Sequence, residues 1–266
     1  MLVADAVSRL LAGRMNAQLF SISESCTAPV DQREGNGLLS RLSGSELSVL
    51  RPHLERVAFR NGDIIARAGD PADSICFPLT GIAAILDPLE NDRQYAIALV
   101  GSEGFIGWPI LLGNDRWPHD VVMRAENGVA MRLRADHLQA AIDAQPHIRT
   151  VLLRFTGVLM SQMGRTIVSS LAHSIERRMA RWILLYHDRV RADEVCMTHE
   201  EFRLMLGVRR SSVTDALHKL EEIQAIRSTR GRLIVRDRDA LLRLAGDTYG
   251  RAEEEYRRLL SDTDDV

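Results

Sequence analysis

Residues 198–222, THEEFRLMLGVRRSSVTDALHKLEE, decide the fold, because they predict two short helices around a tight turn. Thr198 and Glu201 have the spacing of a capping box, which opens the first helix. Gly207 supplies the turn, and Arg209 opens the second helix. The inward positions of that helix recur at helical spacing and are Val213, Ala216, Leu217 and Leu220. Two short helices joined by a glycine-containing turn form a helix-turn-helix unit.

The second helix is predicted to expose side chains that can contact DNA. Arg209 and Arg210 lie at its N-terminal end, where the helix dipole favours phosphate and long forked donors can reach guanine edges. Small hydroxyl side chains beside them permit close approach to the bases. The predicted base contacts are Arg209, Arg210, Ser211, Thr214 and Asp215.

Residues 223–235 have the pattern of a two-stranded hairpin, whose tip is the basic segment Arg230-Gly231-Arg232. Residues 199–238 carry nine Lys or Arg against six Asp or Glu. A basic hairpin after a helix-turn-helix is typical of a wing that contacts phosphates. The alternative is a helix-turn-helix that serves only as scaffold, with solvated arginines. The predicted contacts to the DNA backbone are Thr198, Ser212, His218, Lys219, Arg230 and Arg232.

Upstream, residues 57–133 alternate short apolar runs with turn signals such as Asn127-Gly128. Short strands without helices between them predict an antiparallel β-roll. From position 147 to about Ala172 the apolar residues change to helical spacing. The predicted fold class is therefore α+β: an N-terminal antiparallel, jelly-roll-like β-roll, a long dimerisation helix and a C-terminal winged helix-turn-helix domain.

The long helix carries apolar residues on more than one face, so one face can pack on the roll while another needs a partner. Gly157 and Gly164 are one heptad apart and leave a notch where two backbones can approach closely. We predict a parallel homodimer, and the alternative is a helix buried within its own monomer. The predicted interface residues are Leu152, Phe155, Gly157, Leu159, Met163, Gly164 and Ile167.

These patterns divide the chain into five segments. They are an N-terminal helix and linker (1–36), a β-roll sensor domain (37–145), the dimerisation helix (146–172), the winged helix-turn-helix domain (173–250) and a charged tail (251–266). The sequence assigns no role to the first and last of them.

Residues 38–245 resemble the Crp/Fnr family of bacterial transcription regulators, most specifically over residues 198–220 and the wing tip. The resemblance implies a cyclic-nucleotide-binding-type β-roll and a homodimer that binds double-stranded DNA at a near-palindromic site and contacts RNA polymerase. The base-reading positions of the family fall on Arg210, Ser211 and Asp215. Arg210 matches the guanine-reading arginine, whereas the other two differ from the usual Glu and Arg.

The sensor half departs from the nucleotide-binding members that the chain resembles. Those members hold the cyclic phosphate with a Gly-Glu pair and an Arg-Ser/Thr-Ala run, whereas here Trp108 follows Gly107 and Pro118-His119-Asp120 replaces the run. A buried phosphate without a paired cation carries a large energetic penalty, so we expect no tight binding of cyclic AMP. The candidate effector-pocket residues are Gly107, Trp108, Pro118 and His119, and the effector is unidentified.

Composition sets further limits. The 266 residues carry a net charge of −2, which excludes a uniformly basic nucleic-acid coat protein. No apolar run approaches 18 residues, and the three cysteines form neither a disulfide framework nor an iron–sulfur site. We therefore expect a cytoplasmic protein without membrane contact, bound metal or cofactor. No catalytic motif points to an enzyme. The alternative function is a cyclic-nucleotide or small-ligand binding module that acts through protein partners.

Overall fold

The computed structural model describes residues 35–89, 93–190 and 192–260. Most of the predicted N-terminal helix and linker, and the end of the charged tail, lie outside the described residues. The strands are β1 Glu55–Phe59, β2 Ile64–Ala66, β3 Ser74–Pro88, β4 Gln94–Val100, β5 Asp120–Arg134, β6 Glu194–Val195, β7 Ile226–Thr229 and β8 Arg232–Val235. The α-helices are α1 Gly44–Leu50, α2 Trp108–Leu111, α3 Ala135–Ala144, α4 His147–Ala172, α5 Ile175–His187, α6 His199–Leu206, α7 Arg210–Glu222, α8 Arg238–Ala245 and α9 Arg251–Leu260.

The first five strands form one antiparallel sheet in the order β1-β5-β3-β4, with β2 also paired to β5. The predicted antiparallel roll is confirmed, but β3 and β5 each continue for 15 residues where the sequence predicts separate short strands. The Asn127-Gly128 turn signal lies inside β5. A Cβ on Gly128 would be 2.8 Å from the carbonyl oxygen of Thr80 in β3. Close approach of two strands, rather than a chain reversal, therefore explains this glycine.

Buried apolar side chains form two clusters, and alternate residues of β3 face one or the other. Ala83 and Ile85 belong to the cluster between the roll interior and α4, where the ring centroids of Phe105 and Phe155 are 5.7 Å apart. Ile82 belongs to the second cluster, which also contains the buried side chains of α5, α6 and α7. Because the roll and the winged helix share this second cluster, they pack directly on each other.

Two polar side chains also hold the winged helix in place. The buried guanidinium of Arg181, on α5, donates to the carbonyl oxygens of Thr248 at 3.0 Å and of Gln162 on α4 at 3.1 Å. Burial lowers the pKa of Arg181 to about 10, so the guanidinium stays charged at neutral pH. Glu201, on α6, is buried, with its carboxylate near the backbone amide of Ala125 in β5. Neither contact has a signal in the sequence.

The C-terminal strands form a separate three-stranded sheet in the order β6-β8-β7. The hairpin between β7 and β8 has Arg230 and Gly231 at its tip, and Gly231 has a φ of 76°. The hairpin that the sequence predicts is therefore present, and its turn uses the left-handed conformation that glycine adopts without strain.

Gly104 lies where the loop after β4 passes over Phe155 of α4. A Cβ at this position would be 2.0 Å from Phe155 Cζ, so we expect Gly104→Ala to destabilise the chain by about 1–3 kcal/mol through overpacking. Urea denaturation followed by circular dichroism, at one fixed protein concentration, measures this loss. The control is Gly44→Ala, because a Cβ at Gly44 has no heavy atom within 4 Å. Equal losses in the two variants would contradict the steric argument.

Glu201→Ala tests the polar contact between α6 and the roll. The change leaves the amide of Thr198 without the carboxylate it donates to and removes the carboxylate beside the Ala125 amide, so we expect a loss of about 1–3 kcal/mol in the free energy of unfolding. Glu200→Ala is the matched control, because the neighbouring Glu200 is exposed and pairs only with Arg203 among the described residues. Denaturation midpoints that shift equally for both variants would show that Glu201 does not link α6 to the roll.

Candidate nucleic-acid interface

The first helix of the helix-turn-helix, α6, begins and ends as its sequence predicts. Thr198 Oγ1 accepts from the amide of Glu201 at 3.2 Å, and Glu201 Oε2 accepts from the amide of Thr198 at 2.6 Å, which completes the capping box. The helix ends at Gly207, whose φ of 65° is left-handed and whose amide donates to Arg203 O at 2.9 Å. This αL cap turns the chain toward α7.

The second helix, α7, begins at Arg210, one residue later than predicted, because Arg209 has extended backbone and occupies the N-cap. Its inward residues are buried as predicted. Thr214 is half-buried, and its Oγ1 donates to Arg210 O at 3.2 Å, so this hydroxyl is partly engaged by the helix. The predicted base contacts that are exposed are Arg209, Arg210, Ser211 and Asp215.

Two of the six residues predicted to contact the DNA backbone form ion pairs with carboxylates of this chain. Lys219 is the only lysine, and its ammonium forms a salt bridge with Glu176 at the start of α5. This ammonium lowers the pKa of Glu176 to about 2. Arg232 Nη1 lies 2.7 Å from Glu194 Oε1. Both cations are therefore partly neutralised before any phosphate approaches.

The remaining predicted backbone contacts differ in their availability. Arg230 is exposed at the wing tip and has no ion pair with any described residue. His218 is exposed, with Nδ1 3.7 Å from Glu221 Oε2. Thr198 is exposed but its hydroxyl caps α6, and Ser212 is half-buried. Arg230 is thus the most available cation of the predicted set.

Three residues predicted for the dimer interface, Leu152, Phe155 and Leu159, are buried within the monomer. They belong to the cluster between α4 and the roll, and Met163 packs partly against it. The reason is that α4 must cover the open side of the roll, and it does so with this face. The interface prediction is corrected at Leu152, Phe155 and Leu159, which form part of the monomer's own core, whereas half-buried Met163 stays a predicted interface residue.

The opposite face of α4 is open. No atom lies within 4 Å of a Cβ built on Gly157 or Gly164, and Ile167 is 60% exposed. Three further apolar residues on this face are outside the predicted interface set: Leu153, Met160 (63% exposed) and Leu171 (84% exposed). The spacing of the six positions alternates between four and three residues, and this regular pattern could have identified them. We call this set the α4 seam: Leu153, Gly157, Met160, Gly164, Ile167 and Leu171.

The candidate effector-pocket residues of the roll lie around two buried indoles. Gly107 precedes Trp108, whose ring packs edge-on against Trp117 with centroids 5.6 Å apart. The ring of His119 lies 6.5 Å from that of Trp108, whereas Pro118 is exposed. Gly107, Trp108 and His119 are therefore close together, and aromatic rings line the place where the sequence lacks the phosphate-binding arginine.

Within the described ranges, no group of three or more His, Cys, Asp or Glu side chains could hold a metal ion. None of the described helices is long and apolar enough to cross a membrane.

Two family matches cover most of the described chain. Residues 56–145 match the Cyclic nucleotide-binding domain, and residues 177–244 match the Crp-like helix-turn-helix domain. The first range contains most of the β-roll and the second contains α6, α7 and the wing. Helix α9 lies outside both ranges.

Similar proteins support the same assignment. The transcriptional activator protein FnrL of Cereibacter sphaeroides is 24% identical over 221 residues, which are 78% of this chain and 87% of FnrL. The structure of FixK2 from Bradyrhizobium japonicum matches with a TM-score of 0.64 at 16% identity, over 73% of this chain and 98% of that chain. The c-di-GMP responsive regulator CLP from Xanthomonas campestris matches with a TM-score of 0.62 at 15% identity, over 73% and 99%. With its two domain matches and this shared fold, the chain belongs to the Crp/Fnr family of DNA-binding transcription regulators.

Proposed function

We propose that this chain works as a homodimer and reads a near-palindromic DNA site with α7. The observation that carries the proposal is the exposed N-terminal end of α7, where Arg209, Arg210 and Ser211 stand at the positive end of the helix dipole. Arg210 donates to guanine O6 and N7, as a guanidinium fork does in the major groove. Asp215 repels phosphate but can accept from a cytosine amino group, so its proposed role is base reading.

The wing supplies the sequence-independent part of the affinity. Arg230 contacts phosphate directly, because no described carboxylate competes for it. Lys219 and Arg232 contribute less, because phosphate must first displace Glu176 and Glu194 from them. The side chains of Thr198, Ser212 and His218 are short, and they contact the DNA backbone once α7 lies in the major groove.

The α4 seam pairs with the same seam of a second copy. Its four large side chains leave an exposed apolar stripe with the four-three spacing that left-handed coiled coils use. Gly157 and Gly164 allow the two backbones to approach closely. In a parallel pair, the two α7 helices enter successive major grooves about 34–36 Å apart.

The roll responds to a signal other than cyclic AMP. Trp108 and Trp117 place apolar rings in the roll, and Pro118 and His119 stand where a phosphate would need an arginine. We retain the division into sensor roll (37–145), dimerisation helix (146–172) and winged helix (173–250). Cytoplasmic location and contact with RNA polymerase are part of this proposal.

Arg210→Ala tests base reading. We expect it to weaken binding to the preferred duplex by about 1–3 kcal/mol and to relax specificity at one base pair of each half-site, because the forked donor to guanine is lost. The preferred duplex is selected from a random pool by the protein without nucleotide, and again with cyclic AMP. Fluorescence anisotropy then measures affinity for selected and random duplexes.

Arg230→Ala is the control for this experiment. It should weaken binding to selected and random duplexes alike, and lower the slope of log affinity against log salt by about 1. Equal loss on both duplexes for Arg210→Ala would contradict its base-reading role. Selection of a symmetric motif only when cyclic AMP is present would contradict the proposed independence from this nucleotide.

Met160→Glu tests the dimer. A carboxylate in the centre of the α4 seam would face its copy across the two-fold axis, so we expect monomers and loss of binding to the two-fold symmetric duplex. Sedimentation equilibrium measures the association state. Ala140→Glu, an equally acidic change on the exposed side of α3, should leave the dimer intact. A Met160→Glu chain that remains dimeric would place the interface elsewhere.

A further inference from the structure

A cavity of about 320 Å³ lies between α4, the end of α5 and α9. Its size is at the lower end of the range for small-molecule sites, which often form between domains. Trp108 and His119 are not among its lining residues, so it is separate from the candidate effector pocket of the roll. Its roof is α9, which neither family match covers. The proposed reading of DNA does not use this cavity.

Helix α9 is fixed firmly enough to form a roof. Leu260 is 4% exposed and belongs to the buried cluster of the roll. Tyr256 donates from its hydroxyl to Glu103 O at 3.0 Å, and Arg41 lies over its ring at 5.8 Å. Ala252, one turn earlier, is buried and lines the cavity. A helix that follows the winged helix thus returns to the roll and closes a space above α4.

The floor of the cavity is apolar. Phe155, Val158 and Leu159 of α4 line it, and all three side chains are buried. Together with Ala252 they offer a surface that an aliphatic or aromatic group can cover, with a gain from removing apolar area from water.

Most charged groups around the cavity already have partners. Asp188 accepts from Arg238 Nη2 at 2.6 Å and from the Tyr249 hydroxyl at 2.5 Å. Glu103 accepts from Arg189 Nε at 2.8 Å. Glu253 Oε2 accepts from the amide of Gly250 at 3.0 Å, in the first turn of α9, where the helix dipole also favours its charge. These carboxylates are therefore not open to a ligand cation.

Arg257 is the exception. It is exposed at the cavity, and its Nε donates one long, weak hydrogen bond to Glu253 O at 3.4 Å. Among the described residues, no carboxylate lies within ion-pair distance of its guanidinium. The cavity thus combines an apolar floor with one cation whose terminal nitrogens can receive an anion in a fork geometry.

We propose that this cavity binds a small amphipathic organic anion. Its apolar body covers Phe155, Val158 and Leu159, and its carboxylate, sulfonate or phosphate pairs with Arg257. A ligand held this way contacts both the helix that covers the roll and the helix that follows the winged helix. A regulatory effect on DNA binding would rest on the proposed function, whereas the binding site itself does not.

The test uses the full chain without DNA, so its failure is distinguishable from failure of the DNA-reading proposal. The probe is 1-anilinonaphthalene-8-sulfonate, which joins an aromatic body to one anionic group and fluoresces in apolar surroundings. We expect saturable binding of one molecule per chain. Arg257→Ala should weaken it about five-fold, as for an exposed ion pair. Arg258→Ala is the matched control, because this neighbour pairs with Glu255 and does not line the cavity; it should change affinity less than two-fold.

Two further measurements test whether the probe occupies the cavity and whether its negative charge is required. Ala252→Leu reduces the cavity volume and should weaken probe binding, with circular dichroism showing that the chain stays folded. Octanoate should displace the probe at least five-fold better than neutral octanol. The proposal is overturned if the wild-type chain shows no saturable binding, if Arg257→Ala and Arg258→Ala behave alike, or if octanol competes as well as octanoate.

Discussion

The buried guanidinium of Arg181 is the interaction on which the arrangement of the two halves depends. It contacts carbonyl oxygens rather than a carboxylate, and its desolvation is offset by two hydrogen bonds, by the Trp182 ring 5.3 Å away and by the nearby charge of Glu253. Gln162 contributes its carbonyl to Arg181 and its side chain to Leu99 in β4. One residue of α4 thus joins the edge of the roll to α5, and through Arg181 to the segment before α9.

Local signals in the sequence were sufficient for α4, α6, α7 and the wing. Ser43 and Thr198 cap their helices through their own side chains, so each start is encoded within four residues. The α4 helix extends over the predicted range because its apolar residues keep helical spacing throughout. The hairpin at Gly231 is likewise a local turn. Where the deciding interaction is short in sequence, the pattern predicts the element and its approximate ends.

The sequence could not show which face of α4 packs on the roll. Phe155 and Met160 are both apolar, and only the tertiary position of Phe105 decides that Phe155 is buried while Met160 stays exposed. The continuity of β3 and β5 has the same cause, since pairing partners more than 30 residues apart in the sequence extend both strands. The docking of Leu260 on the roll is also long-range, and a charged C-terminal segment gave no sign of it. For the candidate site, α7 was predictable, but the ion pair that restrains Lys219 was not.

The return of α9 to the roll changes how the winged helix is attached. The domain leaves the roll through α4 and comes back through α9, so it is inserted between two anchored helices rather than appended to one. A domain with a single tether can swing in any direction, whereas one with two tethers keeps mainly the rotation about the line that joins them. That line connects His173, after α4, with Gly250, before α9. Any reorientation of α7 that leaves both helices docked is therefore confined to one degree of freedom.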